Sequence, residues 1–230
     1  IIRNMIRTRQ DSGNKFDDLL DMLLDARYED TGLPMEEHQV IDEILILLIA
    51  GHETTANALS WTLYLLANHR EVLLSLRAST ENLDVDNTVR DHHLNAVINE
   101  SMRLYPPAWI SDRVSLHDDA YRDYTFPANT IFALFYYGLH RDPKYWEDAA
   151  AFKPDRFLRE KNSKDKPKAF YPFGAGPRLC IGNNFAMAEM TLFLQAVVQK
   201  FDFLPTPEVP VVTPLVTLRP DRVILEVRKR

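Results

Sequence analysis

The chain has 230 residues, a formal net charge of −6, and 46% apolar and 26% charged residues, which is the composition of an ordinary globular protein. The acidic balance argues against nucleic-acid binding, because no basic face stands out. The single cysteine excludes a disulfide framework, and the longest apolar run, residues 44–50, is too short to span a bilayer.

Helical spacing of apolar residues dominates the first part of the chain. Residues 2–7 resemble the end of a helix, and the apolar stripe from Phe16 to Arg27 predicts a second helix. A third helix is predicted from about residue 34 to residue 68, which is unusually long for a globular protein. Because this helix is apolar on nearly all sides between residues 44 and 50, we expect that part to be buried.

The rest of the chain mixes helices with short strands separated by turn residues. Proline pairs and proline-containing turns mark where the helical patterns stop. We therefore expect a mainly α fold with small antiparallel β hairpins. The predicted elements are helices at 71–78, 88–105 and 183–201, short strands between 109 and 135, an irregular stretch at 145–168, and a hairpin of 211–218 with 223–227.

Cys180 lies in a segment that cannot form regular secondary structure. The glycines and the proline of residues 173–182 require a tight loop, and a helix is predicted directly after it. A thiol at a helix N-terminus beside an arginine favours the thiolate form, which is the form that binds metals. Taken alone, a lone free cysteine is more often an inert buried residue, so the pattern around it decides between the two interpretations.

That pattern is Phe-x-x-Gly-x-Arg-x-Cys-x-Gly, and it resembles the haem-binding loop of the cytochrome P-450 haem-thiolate monooxygenases. The resemblance implies haem b (iron protoporphyrin IX) with the Cys180 thiolate as its axial ligand. It also implies that Phe173 packs beside the sulfur, that Arg178 pairs with a haem propionate, and that glycines let the chain pass close to the macrocycle. The defined positions are met by Phe173, Gly176, Arg178, Cys180 and Gly182, with Gly174 between them.

Residues 50–55, Ala-Gly-His-Glu-Thr-Thr, form a second motif in the middle of the long helix. Glycine and adjacent threonines are weak helix formers, so a close backbone approach to something flat and a plain packing notch are equally supported. A zinc protease is excluded, because its His-Glu-x-x-His motif would need histidine at Ala56. The resemblance implies an oxygen-binding groove, with Ala50 and Gly51 beside the haem, Thr54 hydrogen-bonding oxygen and Glu53 relaying protons.

Three charged residues resemble the family's structural triad. Glu100 and Arg103 stand at i,i+3 spacing on a predicted helix, a pair that by itself is typical of any protein surface. Arg156 lies in Phe-Lys-Pro-Asp-Arg-Phe, residues 152–157, which resembles the family's second motif. The resemblance implies that the three form a mostly buried network that supports the cysteine loop.

Further residues carry two interpretations each. Arg113 is either a solvated charge at a strand edge or, by resemblance, the second arginine for a haem propionate. Lys161, Lys164, Lys166 and Lys168 favour a solvated loop, with a docking patch for an acidic electron donor as the alternative. A set of apolar residues is either plain core or, by resemblance, the border of a substrate pocket. These are Ile46, Ala108, Trp109, Ile110, Leu215 and Val216.

The expected function is insertion of one oxygen atom from O₂ into an apolar small molecule, with electrons from a ferredoxin, a flavodoxin or a flavoprotein reductase. A non-catalytic haem-binding or interaction fragment is one alternative. A haem-thiolate enzyme that rearranges peroxides is the other, and Thr54 argues against it because such enzymes need no oxygen-activating hydroxyl.

The motifs follow the order of the family's C-terminal half. We therefore expect residues 1–230 to be the C-terminal half of a single haem-thiolate domain, with the N-terminal half outside this chain. The segment at residues 50–55 and the cysteine loop most resemble soluble bacterial members, which favours a cytoplasmic location. Membrane anchoring stays open, because the N-terminus is not in this sequence.

Overall fold

The computed structural model describes residues 1–158 and 169–230, and in them the chain is mainly α with small antiparallel sheets, as predicted. The chain divides into two compact units, residues 1–53 and residues 54–230. Among the described residues, no helix combines the length and the apolar character needed to cross a membrane.

The first unit begins with two short helices. Helix α1 spans Ile2–Ser12, so the helix predicted at residues 2–7 continues to residue 12, and α2 spans Leu19–Asp25. The predicted helix at 16–27 is thus shortened at both ends. Its start is fixed by Asp18, whose carboxylate accepts a hydrogen bond from the Asp21 N–H and caps the helix.

Arg9 connects these two helices. Its guanidinium donates to both carboxylate oxygens of Asp18 at 2.8 Å and to buried Asp21 at 2.5 Å. The same group lies over the ring of Phe16, 4.5 Å from its centroid. Phe16 was predicted to lie in the helix, but it lies before α2 and contributes a cation–π contact to Arg9.

Helix α3 spans Glu37–Asn68 and runs unbroken through residues 50–55. It begins after the predicted position 34, because Pro34 pairs with Arg27 in an isolated antiparallel bridge. The expected burial of residues 44–50 is wrong for this chain. A helix that is apolar on all sides needs packing partners all round, and four of its large side chains stay exposed: Leu45, Ile46, Leu48 and Ile49.

Four of the helices in the second unit contribute to one apolar core. The predicted helix at 88–105 is two helices, because Asp91 is extended and its carboxylate caps the second by accepting from the N–H groups of His93 and Leu94. Buried side chains such as Leu66, Leu94 and Leu194 join the helices. The helices that follow α3 are α4 Arg70–Ser79, α5 Val85–Arg90, α6 His92–Leu104, α7 Tyr136–Leu139 and α8 Asn183–Lys200.

Short strands of this unit form two-stranded antiparallel sheets. The predicted pairing of 211–218 with 223–227 is wrong, because the first segment folds back on itself with its tip at 215–217. The last strand pairs instead with residues 201–205, which follow the predicted helix and for which no strand was predicted. The pairs are β1 Ser111–Val114 with β4 Ile131–Leu134, β2 Asp119–Tyr121 with β3 Tyr124–Phe126, β5 Phe201–Pro205 with β8 Leu225–Lys229, and β6 Val212–Pro214 with β7 Leu218–Pro220.

Candidate functional site

Residues 173–182 form the tight loop that their glycines predict. Gly174 and Gly176 have φ angles of 74° and 68°, a backbone region that side chains with a Cβ rarely adopt. The Cys180 N–H donates to the Phe173 carbonyl at 2.9 Å, and helix α8 begins directly after Gly182. Backbone hydrogen bonding therefore fixes the position of the cysteine, independently of its own side chain.

The Cys180 side chain is exposed, and so are the large apolar residues near it in the chain. The exposed fractions are 50% for Leu179, 92% for Ile181 and 75% for Phe185. A Cβ added at Gly182 would meet no atom within 4 Å, so the backbone there offers open space. An exposed thiol beside apolar surface and a nearby cation, Arg178, is a donor set that fits a flat, mostly apolar macrocycle carrying acidic groups and one axial metal position.

Glu100 and Arg103 form a fully buried ion pair on α6. Their side chains are both 0% exposed, and the guanidinium donates to both carboxylate oxygens at 2.7 and 2.9 Å. The three remaining N–H groups of Arg103 donate to backbone carbonyls of His140, Ala149 and Ala151 at 2.7–2.9 Å. Every donor of this guanidinium is thus satisfied, which a buried charge requires.

Arg156 joins the pair as the third charged residue, as the sequence predicts. It lies in the 3₁₀ turn Pro154–Phe157, and its Nε donates to Glu100 at 3.3 Å. The backbone N–H of Lys153 donates to the same carboxylate oxygen at 2.8 Å. The segment before and within this turn is therefore attached to α6 through one buried carboxylate.

Two tryptophans and an asparagine hold the tip of the β6–β7 hairpin. Trp61 of α3 donates to the Leu218 carbonyl at 3.2 Å, and Trp109 donates to the Leu215 carbonyl at 2.9 Å. Asn57, on the same face of α3 as Trp61, donates to the Thr217 hydroxyl at 2.9 Å. The structure thus brings together two predicted pocket residues, Trp109 and Leu215. No sequence motif predicts the supporting contacts of Asn57 and Trp61.

The other predicted residues are spread over both units. Arg113 lies on β1 with an exposed side chain that donates to the carbonyl of its neighbour Asp112 at 2.6 Å. The second unit contains Ala108, Ile110 and Val216, which are all exposed. It also contains Thr54, its first residue, which is half-buried. The first unit contains Ile46, Ala50 and Gly51, all exposed, and half-buried Glu53. The lysines of the predicted basic run, Lys161, Lys164, Lys166 and Lys168, lie outside the described residues.

His140 is a residue that sequence reasoning missed. It follows α7 and is completely buried, and its Nε2 accepts a hydrogen bond from the Tyr171 N–H at 2.9 Å. The pKa of His140 is lowered to about 4, chiefly because the ring is buried and also because of the charges of Arg103 and Arg141, against an opposing effect of the Met102 carbonyl. No signal in the sequence separates this histidine from an ordinary surface one.

Comparison with known proteins identifies the family of the chain. The sequence model of the cytochrome P-450 family matches residues 1–227. Cyclooctat-9-en-7-ol 5-monooxygenase of Streptomyces melanosporofaciens is 33% identical over 90% of this chain and 46% of its own length. Human cytochrome P-450 3A5 is 34% identical over 93% of this chain and 45% of its own length.

A solved structure, the haem domain of cytochrome P450DA, aligns with a TM-score of 0.90 at 31% identity over 100% of this chain and 53% of that one. A match of this quality over the whole chain defines the fold as that of the cytochrome P-450 proteins. The chain belongs to the cytochrome P-450 family. It spans about half the length of the curated relatives it matches.

Proposed function

We propose that the protein is a haem-thiolate monooxygenase that inserts one oxygen atom of O₂ into an apolar small molecule. The observation that carries this proposal is Cys180, an exposed thiol fixed by its own backbone beside exposed apolar residues. Membership of the cytochrome P-450 family supports it, as do relatives named as monooxygenases, such as the 23-monooxygenase of echinocystic acid from Saponaria officinalis.

The reduced, haem-loaded full-length protein, in which these 230 residues have the rest of the proposed domain, tests this proposal with carbon monoxide, as it does the activity and spectral predictions below. Only a thiolate-ligated haem gives the strongly red-shifted absorption band, so its absence would contradict the proposal. Product formation from O₂ with an electron source then separates a monooxygenase from the two alternatives. A non-catalytic haem-binding fragment would form no product, and a peroxide-rearranging enzyme would act on a peroxide without needing O₂ or electrons.

The residues of the cysteine loop would hold the haem. Cys180 would supply a thiolate ligand, and the exposed cations of Arg178 and Arg113 would pair with the propionates. When bound, a thiolate-ligated haem supplies the reduction and cleavage of O₂ that monooxygenation requires. Phe173, which packs against the apolar core, would shield the sulfur from water. The other residues proposed to contact the haem have small side chains or none, so their backbone can come close to it: Gly174, Gly182, Ala50 and Gly51.

Thr54 and Glu53 would serve proton delivery. They are consecutive residues of an unbroken helix, both half-buried, and one is an alcohol and the other an acid. A hydroxyl can accept one hydrogen bond while donating another, and a carboxylate can exchange protons with solvent. A positioned pair of this kind transfers protons to a reacting oxygen without admitting bulk water.

Replacing Thr54 by alanine is therefore expected to uncouple electron consumption from product formation. Proton delivery is lost while haem content stays normal, so we expect product formed per electron to fall at least roughly tenfold, with peroxide or water formed instead. The matched control is Thr54→Ser, which keeps the hydroxyl and should keep most of the coupling. Unchanged coupling in Thr54→Ala would remove this role, and loss of haem would favour a packing role instead.

The substrate would contact apolar residues near the β6–β7 tip. Trp109 and Leu215 are joined by a hydrogen bond, and Ala108, Ile110 and Val216 are exposed in the same unit, so apolar surface is available there. Ile46 lies in the first unit with an exposed side chain, and its predicted contact with the substrate stays a prediction. Electrons would come from a ferredoxin, a flavodoxin or a flavoprotein reductase, and reconstitution with each class of donor tests this point. We also propose a cytoplasmic location, which cell fractionation tests.

We also propose that these 230 residues form the C-terminal half of a single haem-thiolate domain. Support comes from the half-length match to the relatives and from the exposed apolar side chains within each unit, such as Ile49 and Ile181. Large exposed apolar patches of this kind are normally covered by a partner. Expressed alone, the chain is expected to bind haem weakly, to bind the dye ANS and to show no turnover; tight stoichiometric haem binding with substrate oxidation would contradict this proposal.

A further inference from the structure

His140 is a buried titratable side chain for which the proposed chemistry has no use. It is 0% exposed and lies between two short elements of the second unit, after α7 and beside Phe170. Its ring centroid is 5.3 Å from that of Phe170 and 6.4 Å from that of Tyr136. A polar ring kept in such an apolar place, at the cost of its desolvation, must form a specific interaction to be stable.

The interaction is a hydrogen bond that fixes the protonation state of the ring. A backbone N–H can only donate, so the 2.9 Å contact from Tyr171 N requires Nε2 to be an acceptor, and the proton of the neutral ring must lie on Nδ1. The charges of Arg103 and Arg141 disfavour a second proton. A protonated ring would turn Nε2 into a donor facing another donor, which would break the contact with Tyr171.

Tyr171 is the first residue of a short series of backbone hydrogen bonds that ends at the cysteine. Its carbonyl accepts from the Gly174 N–H at 3.1 Å and closes a turn. Phe173, inside that turn, accepts from the Cys180 N–H at 2.9 Å. The histidine therefore holds the first member of a series whose last member is the proposed axial ligand.

The other end of His140 belongs to the buried charge network. Its backbone carbonyl accepts from Arg103 at 2.9 Å, so the backbone is held by α6 while the side chain holds the start of the loop. The next residue, Arg141, donates to the Leu104 carbonyl and lies 4.2 Å from the ring centroid of Tyr137. The backbone of His140 is thus held by α6, and its ring contacts the start of the loop through Nε2, which places the residue between the charge network and the loop.

We propose that His140 is a positioning residue for the cysteine loop, acting as a neutral acceptor that transmits the placement of Arg103 through Tyr171 to Cys180. The inference rests on the proposed thiolate role of Cys180, since only that role gives the position of the loop a chemical consequence. Sulfur ligands respond to small changes in the groups that orient them, so loosening this contact should alter the state of the ligand before it alters the fold.

Two variants of matched size test the proposal. In His140→Gln the side-chain oxygen can reach the place of Nε2 and accept from Tyr171, whereas His140→Leu fills the same space without an acceptor. Hydrogen exchange of the peptide at residues 169–173 should be roughly tenfold faster in His140→Leu than in His140→Gln, the factor expected for one ordinary hydrogen bond. Equal exchange in the two variants would overturn the proposed contact.

The second readout is the carbon-monoxide spectrum of the reduced, haem-loaded protein. We expect His140→Leu to lose a large part of the red-shifted band and His140→Gln to retain it. An unchanged band in His140→Leu, in protein whose wild-type form has that band, would overturn the positioning role. If the wild type lacks the band, the proposed function fails instead, and the exchange measurement still decides the contact between His140 and Tyr171.

A measurement on the unaltered chain covers the case in which neither variant folds. Because a protonated ring cannot accept from Tyr171, exchange at residues 169–173, corrected for its intrinsic pH dependence, should accelerate as the pH falls through about 4, the pKa of His140. The charged groups that face the ring, Arg103 and Arg141, stay protonated over this range and do not titrate. Protection that persists well below that pH would contradict the proposal.

Discussion

Replacing Cys180 by alanine is expected to abolish the red-shifted carbon-monoxide band and all oxygen-dependent product formation. Alanine cannot ligate the iron, and the loop offers no second thiol because Cys180 is the single cysteine of the sequence. The chain should nevertheless fold, because the Cys180 side chain is exposed and the loop is held through its backbone N–H. Absorption spectroscopy of the reduced protein, with circular dichroism for the fold, measures both results.

The control for this experiment is Ala175→Ser in the same loop. Ala175 is exposed and extended, with φ −157° and ψ 165°, so serine fits there without strain and leaves Cys180 in place. It should keep the wild-type band. Persistence of the red-shifted band in Cys180→Ala would remove the thiolate ligand from Cys180 and, with it, the basis of the proposed function.

Replacing Glu100 by glutamine is expected to have the largest effect on stability. Glu100 is fully buried and accepts hydrogen bonds from Arg103, Arg156 and the Lys153 N–H, so a neutral amide would leave a buried guanidinium without its counter-charge. Breaking a buried pair from one side typically costs about 3–5 kcal/mol. The free energy of unfolding of the haem-loaded protein, measured in urea, should fall by about this amount.

The matched control is the same substitution at Glu226, which forms an exposed ion pair with Arg228 on β8. Exposed ion pairs contribute little to stability, so Glu226→Gln should change the free energy of unfolding by an amount near the limit of measurement. Equal effects at the two positions would show that the buried network of Glu100 does not stabilise the fold. Haem content measured on both variants then reports whether the network also supports the cysteine loop.

The helical part of the fold was predictable where local signals decide it. The pattern of residues 71–78 lies within α4, and the predicted helix from residue 183 corresponds to α8. The boundary between α5 and α6 was missed although Asp91 is a typical N-cap residue, because the apolar spacing continues across it. The pairing of β5 with β8 depends on contacts between distant segments, which no local pattern contains.

The candidate site likewise has a part that motifs predict and a part that only the structure shows. The cysteine loop and the residues Glu100, Arg103 and Arg156 follow motifs with fixed spacing, and the structure brings the three charged residues together. The contact of His140 with Tyr171 and that of Asn57 with Thr217 join distant parts of the chain through single hydrogen bonds. Such contacts require particular three-dimensional positions and leave no periodicity or composition signal in the sequence.

The way the β6–β7 tip is held has a consequence for how selectivity can evolve. Trp61 and Trp109 both donate to main-chain carbonyls, and the Leu218 N–H donates to the Pro107 carbonyl. These three hydrogen bonds therefore do not depend on which side chains the tip carries. Leu215 and Val216 are exposed by 51% and 88%, and neither uses its side chain to anchor the hairpin. If these two residues contact the substrate as proposed, random mutagenesis restricted to them should change substrate preference while the main-chain contacts that hold the hairpin stay the same.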